Sequence, residues 1–251
     1  MRRNIWITGA SAGLGEGMAR LFAASGHNLA LAARRRDRLD GLRAELTTEH
    51  PDIEVSCHAL DVNDHDAVFE QFTAASSALG GIDRAIVNAG LGKGARIGSG
   101  RFEANRDTAM TNFVGALAQC EAAMAHFYER ESGHLVLVSS MSAMRGMPGS
   151  MTTYAATKAG LAMLGEGIRT DLMRKPGQDI KVTTLYPGYI ASEMNAQVEQ
   201  PKMMVDTETG CRSMVAAIEK EVAEAEVPGW PWKPIGFVMR HAPLSVVRRM
   251  V

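Results

Sequence analysis

Tyr154 and Lys158 stand four residues apart at the start of a helical stretch, a spacing that sets both side chains on one helix face. A phenol with an ordinary pKa of about 10 is a poor acid or base at neutral pH, and a neighbouring ammonium favours its ionised form. Such a pair can protonate a nascent alkoxide and act as the base in the reverse direction. Ser139 and Ser140 end an apolar run, and Ser142 follows closely. A hydroxyl there can hydrogen-bond a substrate oxygen as charge develops on it, while another of the three satisfies local backbone.

A second constellation is Thr8-Gly9-Ala10-Ser11-Ala12-Gly13-Leu14-Gly15, a glycine loop between an apolar run and an amphipathic stretch. A strand opening onto a helix N-terminus presents unpaired N–H groups and a partial positive charge to an anion, and glycines let the backbone approach a pyrophosphate. Gly9, Ser11, Gly13, Leu14 and Gly15 are therefore candidate cofactor ligands. The next apolar run ends at Ala33 and is followed by Arg34, Arg35 and Arg36. An acidic residue at that strand end would suit the ribose hydroxyls of NAD; guanidinium groups suit a 2′-phosphate. Arg34, and after it Arg35, is assigned that contact, Arg36 and Arg38 a solvated helix face. NADP(H) is favoured over NAD(H).

These groups need a scaffold, and the chain supplies a repeating one. Apolar β-rich runs at Asn4–Thr8, Asn28–Ala33, Ile53–Leu60, Ile82–Asn88, His134–Ser139 and Lys181–Tyr186 alternate with helical stretches, the pattern of βαβ units. A weaker seventh run, Glu226–Trp230, contains Pro228 and so belongs at a sheet edge. The helices are expected near Leu14–Ala24, Leu39–Thr48, Asp64–Ala78, Asn105–Glu131, Tyr154–Arg174 and Thr207–Glu224, with Asp64 as an N-cap and Gly26, Gly80 and Gly133 as stops. The prediction is one α/β domain over residues 1–251: a Rossmann-type, doubly wound, mostly parallel sheet of six to seven strands with helices on both faces.

Bulk properties exclude other classes. Lys+Arg 27 against Asp+Glu 28 gives a net charge of -1, so no global field favours nucleic acid. Cys57, Cys120 and Cys211 form neither a disulfide framework nor a CxxC site, and the seven histidines show no ligand spacing; no metal site and a cytoplasmic location are expected. The first apolar run stops at Thr8-Gly9, too short for a signal or membrane segment.

Taken in order, Thr8-Gly9 with Gly13 and Gly15, Asp61-Val62, Asn88-Ala89-Gly90, Asn112, Ser139-Ser140, Tyr154 with Lys158, and Pro187-Gly188 make the chain resemble a short-chain dehydrogenase/reductase of the compact, single-domain kind. The resemblance spans about residues 4–195. It implies Tyr154 as general acid/base, and Lys158 as the group that lowers its pKa and binds the nicotinamide ribose. It implies Ser140 as the hydroxyl that polarises the carbonyl, and Asn112 as the holder of a water leading from Lys158 to solvent. Asp61 and Val62 would meet the adenine; Asn88, Ala89 and Gly90 would form the cofactor wall. Pro187, Gly188, Ile190 and Ser192 would flank the nicotinamide. Two departures stand out: Tyr154 follows Ser140 by 14 residues rather than the usual 13, which keeps Ser142 in contention, and Ala12 occupies a position where NADP-preferring members often carry Lys or Arg.

The activity implied is hydride transfer between NADP(H) and a carbonyl/secondary-alcohol pair. The alternatives are a non-catalytic dinucleotide sensor or scaffold, and a lyase or epimerase using the same Tyr/Lys pair. Met141, Met144, Met147, Met151, Met194, Met203 and Met204 crowd the substrate side near Tyr189, which suggests either a plastic apolar pocket or ordinary core packing. The tail at 227–251, with four prolines, Trp230 and Trp232, could cover the cleft, pack on another subunit or touch a membrane surface, the last not favoured. A homodimer or homotetramer built on the Asn105–Glu131 and Tyr154–Arg174 helices is expected.

Overall fold

The computed structural model describes residues 2–92, 94–191, 193 and 203–247. Seven strands form one sheet: β1 (Asn4–Thr8), β2 (Asn28–Ala33), β3 (Val55–Ala59), β4 (Arg84–Val87), β5 (Ser132–Val138), β6 (Asp179–Pro187) and β7 (Glu224–Val227). Their order is β3-β2-β1-β4-β5-β6-β7, and every pair is parallel. The chain winds one way from β1 to β3 and the other way from β4 to β7, so the sheet's carboxyl end opens between β1 and β4, where doubly wound folds bind ligands. β2 is buried at every position, as a sheet covered on both faces requires.

The helices are α1 (Gly13–Ala24), α2 (Arg36–Glu49), α3 (His65–Leu79), α4 (Phe102–Ala109), α5 (Gly115–Arg130), α6 (Met151–Leu172), α7 (Thr207–Glu219), α8 (Gly229–His241) and α9 (Leu244–Val247). One apolar core lies between the sheet and α1, α2 and α7; a second lies under α3, α5 and α6. Asp64 caps α3 by accepting from the Ala67 N–H at 3.1 Å, and Gly26 and Gly80 adopt the left-handed conformation expected of helix stops, with φ 80° and 71°.

Four expectations are corrected. Gly133 does not end a helix: α5 stops on Glu131, itself left-handed at φ 52°, and Gly133 lies in β5, where a Cβ would overlap the Phe127 ring. α7 ends at Glu219 rather than Glu224, because Glu221 turns left-handed at φ 49° and releases the chain into β7. β7 finishes at Val227, before Pro228, though it does occupy the edge. The predicted helix at Asn105–Glu131 begins at Phe102 and is interrupted by a π-turn, Met110–Val114, that carries Asn112.

The tail folds back as α8. Trp232, Gly236 and Met239 point inward at helical spacing, whereas Trp230 and Phe237 are exposed. The inner face packs on Met141, Ala162 and Tyr186, with Met144 and Met147 beside them. No helix among the described residues is long and apolar enough to cross a membrane.

Candidate active site

The site begins where β1 ends. Thr8 Oγ1 donates to Gln119 Oε1 at 2.7 Å and accepts from the Asn88 and Ala89 N–H groups, both at 3.1 Å. Asn88 Nδ2 returns a bond to the Thr8 carbonyl at 2.9 Å. The ends of β1 and β4 are thereby locked together, and the chain leaves Thr8 through Gly9 at φ 67°. A Cβ on Gly9 would stand 2.9 Å from Asn88 Nδ2 and 3.0 Å from Ala89 Cα, so this turn admits no side chain. α1 then starts behind Ala12, which offers no capping side chain. Its first N–H groups face the cleft without a side-chain acceptor, which is the cradle an anionic group fits.

That cleft, of about 670 Å³, runs along the sheet's carboxyl end and is lined by Gly9, Ser11, Gly13, Leu14, Arg34 and Arg35 at one end. Asp61, Val62, Asn88, Ala89 and Gly90 line its floor, and Ser140, Tyr154, Lys158, Pro187, Gly188 and Ile190 the other end. At the β2 end, Arg35 Nε donates to Ser11 Oγ at 3.1 Å and its NH1 reaches Glu193 Oε2 at 3.0 Å. Arg38, expected on a solvated face, also binds Glu193, at 2.7 Å. These two guanidinium groups, Arg38 first, hold the Glu193 carboxyl below its ordinary range. Arg34 is exposed beside them and takes no ion pair among the described residues.

At the far end, two bonds stitch β5 to α6. Lys158 Nζ donates to the Val138 carbonyl and Ser139 Oγ to the Lys158 carbonyl, both at 2.8 Å. Ser139 is thus the serine that serves the backbone. Ser142 is buried and gives both its N–H (3.2 Å) and its hydroxyl (3.0 Å) to Ser140 Oγ. Ser140's own O–H is left for the Tyr154 phenol, whose ionised form it favours. The three candidate serines therefore separate by role, and Ser140 is the one that faces the phenol. The loop from Met141 to Ser150 takes up the longer Ser–Tyr spacing with a 3₁₀ turn, Met141–Met144, and Gly149 at φ 66°.

Electrostatics departs from expectation in one respect. Burial pushes the Tyr154 phenol above its ordinary 10, and the Ser140 hydrogen bond only partly offsets this. Lys158 is only 5% exposed and burial lowers it to about 8. Its Nζ sits 5.9 Å from the Tyr154 ring centroid. A buried phenol is easier to keep neutral than ionised, so the pair at rest is a protonated acid beside a weakened cation.

Two expected residues stand apart from the cleft wall. Gly15 lies behind it; a Cβ there would overlap the Gly9 carbonyl and approach Asn88 Nδ2 to 2.8 Å, so its absence permits helix and loop to close. Asn112 uses its side chain on the loop after β4, accepting from Leu91 N–H at 2.6 Å and donating to the Leu91 carbonyl at 2.8 Å. Ser192 lies outside the described residues. Sequence reading missed Asn63 and Thr111, joined at 3.1 Å across the cleft wall, although each adjoins a named motif, and it missed Glu193, which no motif marks. No methionine is among the described residues that line the cleft: Met141, Met144 and Met147 pack on α8 instead.

Comparisons with known proteins bear on the family and the fold. A family model described as short chain dehydrogenase matches residues 3–203. The chain is 52% identical over 248 residues to an uncharacterized oxidoreductase of Mycobacterium tuberculosis, covering 99% of this chain and 97% of the relative. Among solved structures it is similar to an alcohol dehydrogenase from the archaeon Thermococcus sibiricus complexed with 5-hydroxy-NADP, at 27% identity and a TM-score of 0.77, covering 89% and 94% of the two chains. Levodione reductase superposes at 25% identity and a TM-score of 0.81, covering 93% and 98%. The chain belongs to the short-chain dehydrogenases, as an oxidoreductase acting on CH–OH or C=O groups.

Proposed function

We propose that the protein is an NADP(H)-dependent carbonyl reductase or secondary-alcohol dehydrogenase in which Tyr154 is the general acid/base. The observation that carries this reading is the meeting of Ser140, Tyr154 and Lys158 at one end of a cleft continuous with the glycine loop. A nicotinamide dinucleotide, when bound, supplies and accepts the hydride.

The chain's residues divide the remaining work. Glycines 9 and 13 and the uncapped start of α1 receive the pyrophosphate, Asp61 and Val62 the adenine, and Arg34 with Arg35 the 2′-phosphate. Ser140 donates to the substrate oxygen and orients it toward Tyr154. The raised phenol keeps its proton at neutral pH and releases it to an oxygen that is becoming an alkoxide. Lys158 holds α6 to the end of β5 and offers its ammonium to the ribose and to the developing phenolate. Asn112 fixes the Leu91 loop that flanks them. Leu91, Val138 and Ile190 provide an apolar wall beside the reacting carbonyl, which supports an apolar substrate body. The exposed Phe102, Met163 and Met173 on α4 and α6 and just beyond α6 support a homodimer or homotetramer, which light scattering would detect.

The test is a panel of ketones and aldehydes followed by loss of the reduced cofactor's absorbance, with NADPH and NADH compared. Arg34→Ala should weaken NADPH by about tenfold, the loss of one charge-assisted contact, and leave NADH nearly unchanged. Equal weakening of both would contradict the 2′-phosphate contact, and no turnover across the panel would contradict the activity.

A further inference from the structure

The helix α8 lies beyond the residues matched by the family model, yet it touches the cleft's wall. Gly188 lines the cleft next to Pro187 and Ile190, and the three atoms nearest to a Cβ built on it all belong to the Trp232 indole, which such a Cβ would overlap. Trp232 is 4% exposed and meets the Tyr189 ring edge-on at 5.4 Å between centroids. Gly188 is also tethered by its N–H to the Val227 carbonyl at 3.0 Å, at the end of β7. The corner after β6 is therefore held between a strand end and the flat face of one indole.

We propose that Trp232 is a positioning residue for cofactor binding: its ring, laid on Gly188, fixes the Pro187–Gly188 wall at the spacing the dinucleotide needs. The side chain's polar atom is not what matters, for Trp232 Nε1 is buried with no acceptor among the described residues. An indole N–H left unpaired in the interior opposes folding; the work at this position falls to the ring face. A glycine whose missing side chain is replaced by a neighbour's aromatic plane is a close-packed joint, and interiors transmit displacement at such joints rather than absorb it. The inference rests on the reading of the cleft as a dinucleotide site.

Three variants separate positioning from general packing. Trp232→Ala removes the plane. Trp232→Phe restores a plane without the N–H. Met239→Ala removes an equally buried side chain, also 4% exposed, from the same helix and the same apolar cluster, seven residues further on. Calorimetric titration with NADPH should give a dissociation constant about tenfold higher for Trp232→Ala, and one within about threefold of the parent for Trp232→Phe and Met239→Ala, where tenfold is about 1.4 kcal/mol. Should Trp232→Ala fail to fold, Trp232→Leu, which fills volume without a flat face, carries the same expectation. Binding within threefold for the Ala or Leu variant, or an equal loss in Met239→Ala, would overturn the positioning role. If the parent protein binds NADPH and Trp232→Ala binds it as well, only this inference fails; if the parent binds neither NADPH nor NADH, the reading of the cleft fails with it.

Discussion

Among the described residues, Arg84 and Lys158 are basic side chains buried at opposite ends of the sheet, and they are treated differently. At the amino end, Arg84 on β4 is 1% exposed. Its guanidinium pairs with Glu219 through NH1, lies 3.8 Å from Glu221 through NH2, and donates through Nε to His134 Nδ1 at 2.9 Å. Glu221 is shared with Arg2 at 3.0 Å. His134 is fully buried, and burial, followed by Arg84 and Arg2, holds it well below its ordinary value. It is therefore neutral, accepting at Nδ1 and bonded through Nε2 to Thr183 Oγ1 at 2.8 Å. At the carboxyl end, Lys158 has the Val138 carbonyl at 2.8 Å and no acidic partner among the described residues. Burial lowers both cations; carboxylates partly offset the effect at Arg84, whereas among the described residues none does so at Lys158.

The difference separates structure from chemistry. A buried ion pair that satisfies all its neighbours ties elements together; here Arg84 and its partners join β4, β5 and the end of α7. A buried cation without a counter-ion is held at a disadvantage, and such groups cluster at functional sites. The two ends should therefore respond to substitution in opposite ways.

Lys158→Met sharpens the contrast most. Turnover should fall by about a thousandfold, in the range that loss of acid–base assistance produces, and stability should shift with pH in a defined direction. With its folded value at about 8 against an ordinary 10.5, Lys158 binds a proton less readily in the native state than in the unfolded chain. Its penalty is complete below pH 8 and is relieved as pH rises toward 10.5. Relative to Lys158→Met, the parent protein should gain about 3 kcal/mol across that window, measured by denaturant unfolding at several pH values. A flat difference would mean that Lys158 is not a depressed, unpaired cation. Arg84→Met should do the reverse, lowering stability by about 3 kcal/mol, the low end for a broken buried pair because Glu219 is partly exposed, as neutral His134 and the two glutamates lose their common partner, while kcat per folded molecule stays unchanged. A fall in kcat without a fall in stability would erase the distinction between the two ends.

The sequence made the carboxyl end legible and the amino end almost invisible, for a physical reason. The candidate cofactor and catalytic groups sit at strand ends and helix starts, where short spacings survive: Gly9 to Gly13, Ser140 after β5, Tyr154 to Lys158. β1 and β2 match their predicted limits because their apolar runs stop at a polar residue or a charged cluster. Arg84, Glu219 and Glu221 are brought together across 135 residues or more, and nothing local marks them. β7 was misplaced because an edge strand tolerates charge: Glu224 faces Arg169 and Tyr186 and reads as the end of a helix. The left-handed Glu131 and Glu221 carry no sequence signal, since that conformation normally announces itself through glycine. The methionines near Ser140 gave composition without direction, and only tertiary packing turned them toward α8.

One measurement addresses the central claim directly: NADPH binding and ketone reduction in Tyr154→Phe, side by side with the parent protein. The phenyl ring keeps the volume and loses the hydroxyl that could carry the proton. The account predicts unchanged cofactor affinity with turnover reduced by about three orders of magnitude. Reduction at a rate near the parent's would show that the proton comes from elsewhere and that the grouping at the end of the cleft is not the reacting centre.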